Sequence, residues 1–482
     1  MTYPRLIQGG MGAGVSGWPL AREVARLGQL GVVAGTALDV ILARRLQEGD
    51  PGRHLRRAID TFPIPGIAER ALRRYFIAGG KAADAPYRAV PIHSLRSPHA
   101  LVELTVLANY VEVYLSKEGH DGIVGINYLE KIQLPNLASL YGAMLARVDY
   151  VLMGAGIPRE IPGALDLLAA GREASMQLSV VGATRGEEDR LRFDPRSIAG
   201  DSPPSLRRPL FLPIVSSTVL AKALIKRATG RIDGFVIEGP GAGGHNAPPR
   251  GALKLDETGQ PIYGSRDRVD LAFFRELDVP FWLAGKYGHP DRIAEALAAG
   301  ATGVQVGTPF AFCTESGLEP ALRTGVLDLV QRDAVEVFTD PAASPTGFPF
   351  KLMPLEDSLA DPEVYAARPR VCDLGFLRTA YRTAGGGVGF RCPGEPQDGY
   401  IRKGGDAADT VGRQCLCNGL VSNIGLGQIR PGNYREPPIL TSGEDLSVLL
   451  PYLAVHRTNY SAAVVVDRLC DGLAAAQEAR LP

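Results

Sequence analysis

The run Leu6-Ile7-Gln8-Gly9-Gly10-Met11-Gly12-Ala13-Gly14, followed by a helical stretch at residues 20–27 and then by Gly31-Val32-Val33-Ala34-Gly35, decides the fold. An apolar segment runs into a glycine loop, and Gly28 leads the helix into a second apolar segment. Strand, loop, helix and strand in this order are what a parallel βα unit requires. The same grammar recurs. Residues 122–127, 149–154 and 211–217 read as buried strands, and a helix at 219–228 follows the last of them. Residues 235–239 form another strand, Phe281-Trp282-Leu283-Ala284-Gly285 the next, and a helix at 290–299 leads into Gly303-Val304-Gln305-Val306-Gly307-Thr308-Pro309-Phe310. Strands are thus predicted near residues 5, 31, 122, 150, 211, 235, 281 and 303. Near-continuous apolar strands alternating with amphipathic helices indicate a parallel sheet covered on both faces. Eight of them indicate an α/β fold of the TIM (β/α)8 barrel type. Its active site lies at the C-terminal strand ends, where Gln8, Asn127, Glu238 and Gly285 fall. A doubly wound open sheet is the alternative, but it concentrates its glycines in the first βα turn, and here they are spread over several strand ends.

The segment Glu238-Gly239-Pro240-Gly241-Ala242-Gly243-Gly244-His245 carries the chemistry. Glycine lets a ligand approach bare backbone, so His245 is brought beside a flat cofactor or its substrate; a surface turn is the competing reading. The strands at 281 and 303 also end in glycine, and Thr308 opens the next segment. Backbone N–H groups and a hydroxyl gathered in this way suit a phosphate, with ordinary barrel turns as the alternative.

Taken in order, Gln-Gly-Gly-Met-Gly at the start, Ala-Gly-Gly-His after strand six, Ala-Gly after strand seven and Val-Gly-Thr-Pro-Phe after strand eight resemble the nitronate monooxygenase (2-nitropropane dioxygenase) family of FMN-dependent TIM barrels. That family is related to FMN-dependent enoyl reductases and NAD(P)H:quinone reductases, and the resemblance covers roughly residues 1–318. It implies FMN at the barrel mouth, with Gly9, Gly10 and Met11 by the isoalloxazine and Asn127 and Glu238 at its polar edges or ribityl chain. Gly243, Gly244, Gly285, Gly307 and Thr308 are implied at the phosphate, and His245 takes the catalytic position. An imidazole beside the ring either holds a nitronate anion or accepts a proton from a nitroalkane; in a reductase it orients a thioester carbonyl. The expected activity is oxidation of nitronates or nitroalkanes with O2. The alternatives are an NAD(P)H-dependent enoyl-thioester (enoyl-ACP) or quinone reductase of a fatty-acid or polyketide pathway, and a non-catalytic flavin-binding scaffold. The chain departs from the family where Gly285-Lys286 replaces the usual Gly-Gly, and Lys286 is expected to pair with the FMN phosphate. His289 reads as an exposed residue at a helix start.

The barrel is expected to span residues 1–340, enlarged by insertions at about 39–120 and 174–210. The first carries the basic pairs Arg44-Arg45, Arg56-Arg57 and Arg73-Arg74, read as solvated helix faces, and the second reads as a hairpin or lid. Residues 341–482 form a glycine-rich appendage packing on the barrel, with a final helix near 460–479 and with Arg413 or Arg430 placed to meet an anionic substrate. Cys392, Cys415 and Cys417 suggest a metal site, but a closed zinc site needs four ligands and no fourth is evident, so they are read as unliganded.

Composition bounds the rest. A chain of 482 residues with 45% hydrophobic content holds one large barrel plus an appendage with ample core. No apolar run reaches membrane length, and the first strand begins within a few residues of the N-terminus, so neither a membrane span nor a signal peptide is expected. Six cysteines in so long a chain form no disulfide framework, which points to the cytoplasm. A formal net charge of zero argues against nucleic acid as a partner. The expected partners are a small-molecule substrate with NAD(P)H or an acyl carrier, and homodimerisation is left open.

Overall fold

Eight parallel strands carry the core of the computed structural model, which describes residues 3–184 and 186–478. They are β1 (Leu6–Gln8), β2 (Gly31–Ala34), β3 (Val124–Leu129), β4 (Tyr150–Gly154), β5 (Leu210–Val215), β6 (Phe235–Glu238), β7 (Phe281–Ala284) and β8 (Gly303–Val306). Their hydrogen-bonded order is β1-β8-β7-β6-β5-β4-β3-β2. A parallel bridge between Ile7 and Leu30 joins the two ends, with Gln8 N donating to Leu30 O at 3.0 Å and Leu30 N to Leu6 O at 3.1 Å. The sheet is therefore a (β/α)8 barrel, and every strand begins within two residues of its predicted start.

The alternation of side chains along these strands builds two shells. Ile7, Val32, Leu152, Leu212, Val236 and Trp282 fill the barrel interior as one cluster. Their neighbours point outward: Leu6, Phe235, Phe281 and Val304 pack with the helices on one side, and Val33, Ile126 and Val151 with those on the other. The helices are α1 (Trp18–Arg26), α2 (His99–Lys117), α3 (Asn136–Leu145), α4 (Ile161–Ala169), α5 (Thr218–Arg227), α6 (Leu271–Glu276), α7 (Pro290–Ala298) and α8 (Pro320–Gln331), one after each strand. Bare backbone is required where strands enter the barrel floor. A Cβ on Gly31 would lie 1.9 Å from Ala21 O, and one on Gly303 1.9 Å from Arg5 O.

Gln8, expected at the ligand-facing rim, is fully buried and serves closure instead. Its Oε1 accepts from Val32 N at 3.0 Å, and its Nε2 donates to Ser16 Oγ at 2.9 Å and Val32 O at 3.2 Å. The side chain adds hydrogen bonds between β1 and β2 where the backbone contributes the one bridge at Ile7 and Leu30.

The first insertion adds three helices, Leu38–Gln47, His54–Ile59 and Ile67–Tyr75, before α2. Arg44 departs from the solvated-face reading: it is 4% exposed, donates to Leu426 O at 2.6 Å and lies over the Tyr87 ring. The C-terminal region packs on this helix and buries it. Arg73 and Arg74 are exposed as expected. In the second insertion Ala174–Gln177 pairs antiparallel with Arg190–Phe193, and Val180–Val181 adds to the hairpin strand Thr379–Arg382.

Residues beyond 340 cover the barrel mouth and line its cavity, among them Phe350, Phe376, Leu377 and Leu440. Phe338–Asp340 pairs with Phe350–Leu352, and Phe350 bridges His245. The last helix, Ala462–Glu478, packs on α7 and α1; Ala479, expected at its end, lies outside the described residues. Among the described residues no helix is long and apolar enough to cross a membrane.

Because Gln8 closes the seam, Gln8→Met keeps the volume but strands the Val32 amide. A loss of about 1–3 kcal/mol is expected in urea denaturation, and unchanged stability would show that the Ile7–Leu30 bridge suffices.

Candidate active site at the barrel mouth

The strand ends converge on a cavity of about 260 Å³. Gly9, Gly10 and Met11 line it from the β1 loop, Asn127 from β3, and Glu238, Gly243, Gly244 and His245 from β6 and its loop. Gly285 and Lys286 line it after β7, Gly307 and Thr308 after β8. The sequence thus names twelve residues spread over 300 positions of chain, and the barrel brings all twelve around this space.

The β1 loop is tied back by Gly9 N donating to Val306 O at 2.9 Å and Met11 N to Ser16 Oγ at 3.0 Å. Gly10 sits against Asn127 so closely that a Cβ would lie 2.4 Å from Asn127 Cβ. Two buried acceptors on the cavity wall, Asn127 Oδ1 and Gln305 Oε1, have no partner. Buried acceptors are ordinarily satisfied, so unpaired ones facing a cavity indicate a ligand that donates to them.

His245 is held from the C-terminal region. Its Nε2 shares a 2.7 Å hydrogen bond with Ser344 Oγ, which meets Thr346 Oγ1 at 2.8 Å, and its ring stands edge-on to Phe350 with centroids 4.9 Å apart. The surface it keeps open faces the cavity, and burial pulls its pKa down to about 4, so the imidazole is neutral near pH 7. Glu238 behaves in the opposite sense for the same reason. Burial pushes its carboxyl up to about 7, against the smaller opposing pull of the Lys351 ammonium.

The far end of the cavity is closed by Thr441-Ser442-Gly443, which the sequence reading does not single out. Gly443 N donates to Thr308 Oγ1 at 3.2 Å, Ser442 Oγ to the same hydroxyl at 3.4 Å, and Gly244 N to Thr441 Oγ1 at 2.8 Å. A Cβ on Gly243 would lie 2.7 Å from the Ser442 carbonyl carbon, so only glycine lets these two loops touch. The available signal is the Ile439-Leu440 pair running into three small residues, the same pattern that ends the barrel strands. Ser344 and Phe350 carry no such signal.

Three expectations change. Lys286 lines the cavity with its stem, in a left-handed conformation at φ 67°, but its ammonium is ion-paired with Glu444, which also binds Lys351 Nζ at 3.1 Å. A phosphate would have to share that lysine with a carboxylate. Arg413 donates to Ala342 O and Ser344 O at 2.7 Å each, and Arg430 is paired with Asp373 and Glu436, so both are spent inside the C-terminal region. His289 stands at the start of α7 as expected, but half-buried and 3.2 Å from Asp445.

Residues 208–341 match the nitronate monooxygenase family model. The matched segment contains β5 to β8 together with Glu238, His245, Lys286 and Thr308, and the family is one of flavin-dependent oxidoreductases. Solved structures resemble the chain along almost its whole length. Nitroalkane oxidase from Streptomyces ansochromogenes aligns at 17% identity over 99% of this chain and 98% of its own, with a TM-score of 0.45. FabK from Thermotoga maritima aligns at 15% identity over 99% and 94%, TM-score 0.46. The enoyl reductase domain of MlnA, from the macrolactin biosynthesis cluster of Bacillus amyloliquefaciens, aligns at 10% over 98% and 95%, TM-score 0.45. No curated protein matches the sequence.

The raised Glu238 pKa has a stability consequence with a definite sign. Between its ordinary value of 4.5 and about 7 the folded chain holds a proton that the unfolded chain releases, so stability falls as pH rises through this window. Glu238→Gln should flatten that fall by about 1–3 kcal/mol, measured by denaturation at a series of pH values. Parallel profiles for both proteins would place the carboxyl in water.

Proposed function

We propose that the chain is an FMN-dependent oxidoreductase whose substrate reaches His245 and Glu238 through a second cavity. The fit to FMN rests on the unpaired Asn127 and Gln305 acceptors and on one end lined by Gly285, Gly307, Thr308 and Thr441–Gly443, whose backbone and hydroxyl groups suit a phosphate. No βαβ fingerprint for an adenine half accompanies them. Bound there, FMN would supply the acceptor or donor of an electron pair.

The protein's own residues handle the substrate. With Nε2 occupied by Ser344, Nδ1 is the imidazole nitrogen left for a substrate oxygen or proton, and the Ser344-Thr346 chain sets the ring's orientation. A neutral imidazole offers a hydrogen bond and not a fixed positive charge. Glu238, protonated up to about pH 7, keeps a proton close to the same space.

One observation carries the choice of reaction. A second cavity of about 590 Å³ shares Glu238 and His245 with the first and runs outward past Phe348, Lys131, Arg159 and Arg227. That volume far exceeds a small nitronate and suits an elongated acyl group; its outer wall mixes Lys131, Arg159 and Arg227 with Glu130 and Glu160. We therefore read the chain as a reductase of an enoyl thioester or comparable conjugated substrate, with NAD(P)H as the source of the electron pair. Oxidation of nitronates or nitroalkanes with O2 is the second reading, supported by the family match over residues 208–341.

Purified protein should be yellow and release FMN, not FAD, on heating. In anaerobic stopped-flow mixing, rapid bleaching by NADPH followed by reoxidation with an enoyl thioester is the expected result. Bleaching by propionate 3-nitronate alone would establish the second reading, and inertness to both would leave a flavin-binding scaffold. His245→Ala should retain flavin and melting temperature while lowering turnover by roughly 10²-fold or more. Equal turnover would reduce the Gly-Gly-His segment to a structural turn.

A further inference from the structure

Glu238, at the end of β6, stands where three spaces meet. It lines the main cavity, the second cavity and a third void of about 30 Å³ whose wall includes Ser216, Gly239, Tyr263 and Asp267. Pro240, Pro248 and Arg250 line this void too and are exposed, so it leads from the carboxyl toward solvent. Its volume has room for about two waters. Water needs polar partners, and the wall supplies them. Tyr263 Oη donates to Ala247 O at 3.0 Å and keeps its lone pairs for accepting, while Asp267 is fixed by Arg250 N at 2.8 Å and Gly264 N at 2.7 Å. Ser216 lines both the void and the second cavity, and among the described residues its hydroxyl has no hydrogen-bond partner.

The Glu238 carboxyl likewise accepts no hydrogen bond from the described residues. A buried carboxylate with a structural task is paired, as Glu436 is with Arg368 Nε at 2.8 Å. Glu130, another carboxyl of the second cavity, accepts from Gln133 Nε2 at 3.0 Å. Burial without a partner keeps a proton on Glu238 up to about pH 7, the range in which a general acid works best. His245 does not suit that part. Its Nε2 is held by Ser344 and its ring is neutral near pH 7, so it orients a substrate oxygen through Nδ1.

We propose that Glu238 donates the proton to the substrate carbon and that water in the third void reloads it from solvent. This inference rests on reading the chain as a reductase of enoyl thioesters. Reduction of such a substrate adds a hydride equivalent, drawn from NAD(P)H, at the β-carbon and leaves an electron pair shared by the α-carbon and the carbonyl oxygen. The α-carbon takes its proton as the Glu238 O–H bond breaks. The carboxylate left behind takes a proton through the void, so each turnover draws one proton from solvent. An acyl chain filling the second cavity would shut water out of it. The third void gives the proton a separate way in.

The test uses flavin-loaded full-length protein. Infrared spectra should show a protonated-carboxyl band that fades as pH rises through about 7 and is missing from Glu238→Gln. Around Glu238 stand His245, Lys286, Glu130, Tyr263, Asp267 and the Lys351 ammonium, and of these Lys351 is the one that pulls its pKa down. Glu238→Gln should keep its flavin, reduce an enoyl thioester with NADPH roughly 10²-fold or more slowly, and lose the fall in kcat that wild type shows above about pH 7. A Cβ on Gly239 would lie an ordinary 3.6 Å from Ala284 O, so Gly239→Val fits and narrows the void. It should slow deuterium exchange of the carboxyl band and lower kcat with KM for the thioester unchanged. Wild-type kcat and pH profile in Glu238→Gln would overturn the proton role, loss of its flavin would place the carboxyl on the cofactor instead, and unchanged exchange in Gly239→Val would overturn the path. Those results in a wild type that reduces enoyl thioesters overturn this inference alone, whereas a wild type bleached by nitronate and not by NADPH overturns the functional reading and the inference with it.

Discussion

Closure of the barrel between β1 and β2 is the constraint on which the rest depends. Seven of the eight seams are ordinary parallel ladders, but this one has a single bridge at Ile7 and Leu30 and is completed by the buried Gln8 side chain. An open sheet would spread the strand ends along a line. A closed one gathers them on a rim, which is why Gly9, Asn127, Glu238, Gly285 and Gly307 face the same space although they lie far apart in the chain.

The rim alone would be an open dish. The C-terminal region turns it into a site, since Phe350 adds a bridge to His245, Ser344 takes its Nε2, and Thr441 to Gly443 close the end at Thr308. Burial by this cover is also what sets the local acid–base properties. The same low-dielectric surroundings that hold His245 neutral keep the Glu238 carboxyl protonated up to about pH 7, so burial moves their pKa values in opposite directions. Glycines at Gly10 and Gly243 permit the contacts by which cover and barrel meet the cavity, because any side chain there would strike Asn127 or the Ser442 backbone.

The charged residues show where a local reading of sequence loses its grip. Lys286, Arg413 and Arg430 look available for anions when read one segment at a time, yet each finds a partner from a distant segment or its own neighbourhood: Glu444, the Ala342 and Ser344 carbonyls, Asp373 and Glu436. Arg44 goes further and is buried under Leu426. Pairing of this kind has no periodicity and no fixed spacing, so it leaves no trace in one chain's sequence.

What the sequence determined by itself was the barrel and the half of the site that the barrel owns. Apolar runs of strand length, each ending in glycine or a single polar residue and each followed by a helical stretch, admit few arrangements, and hydrophobic burial with backbone pairing acts locally enough to be read from those runs. Only the tertiary structure decided what covers the mouth, which nitrogen of His245 is occupied and that Gln8 staples instead of binding. These are contacts between segments up to about 200 residues apart, set by loops whose paths follow from packing on a surface already folded.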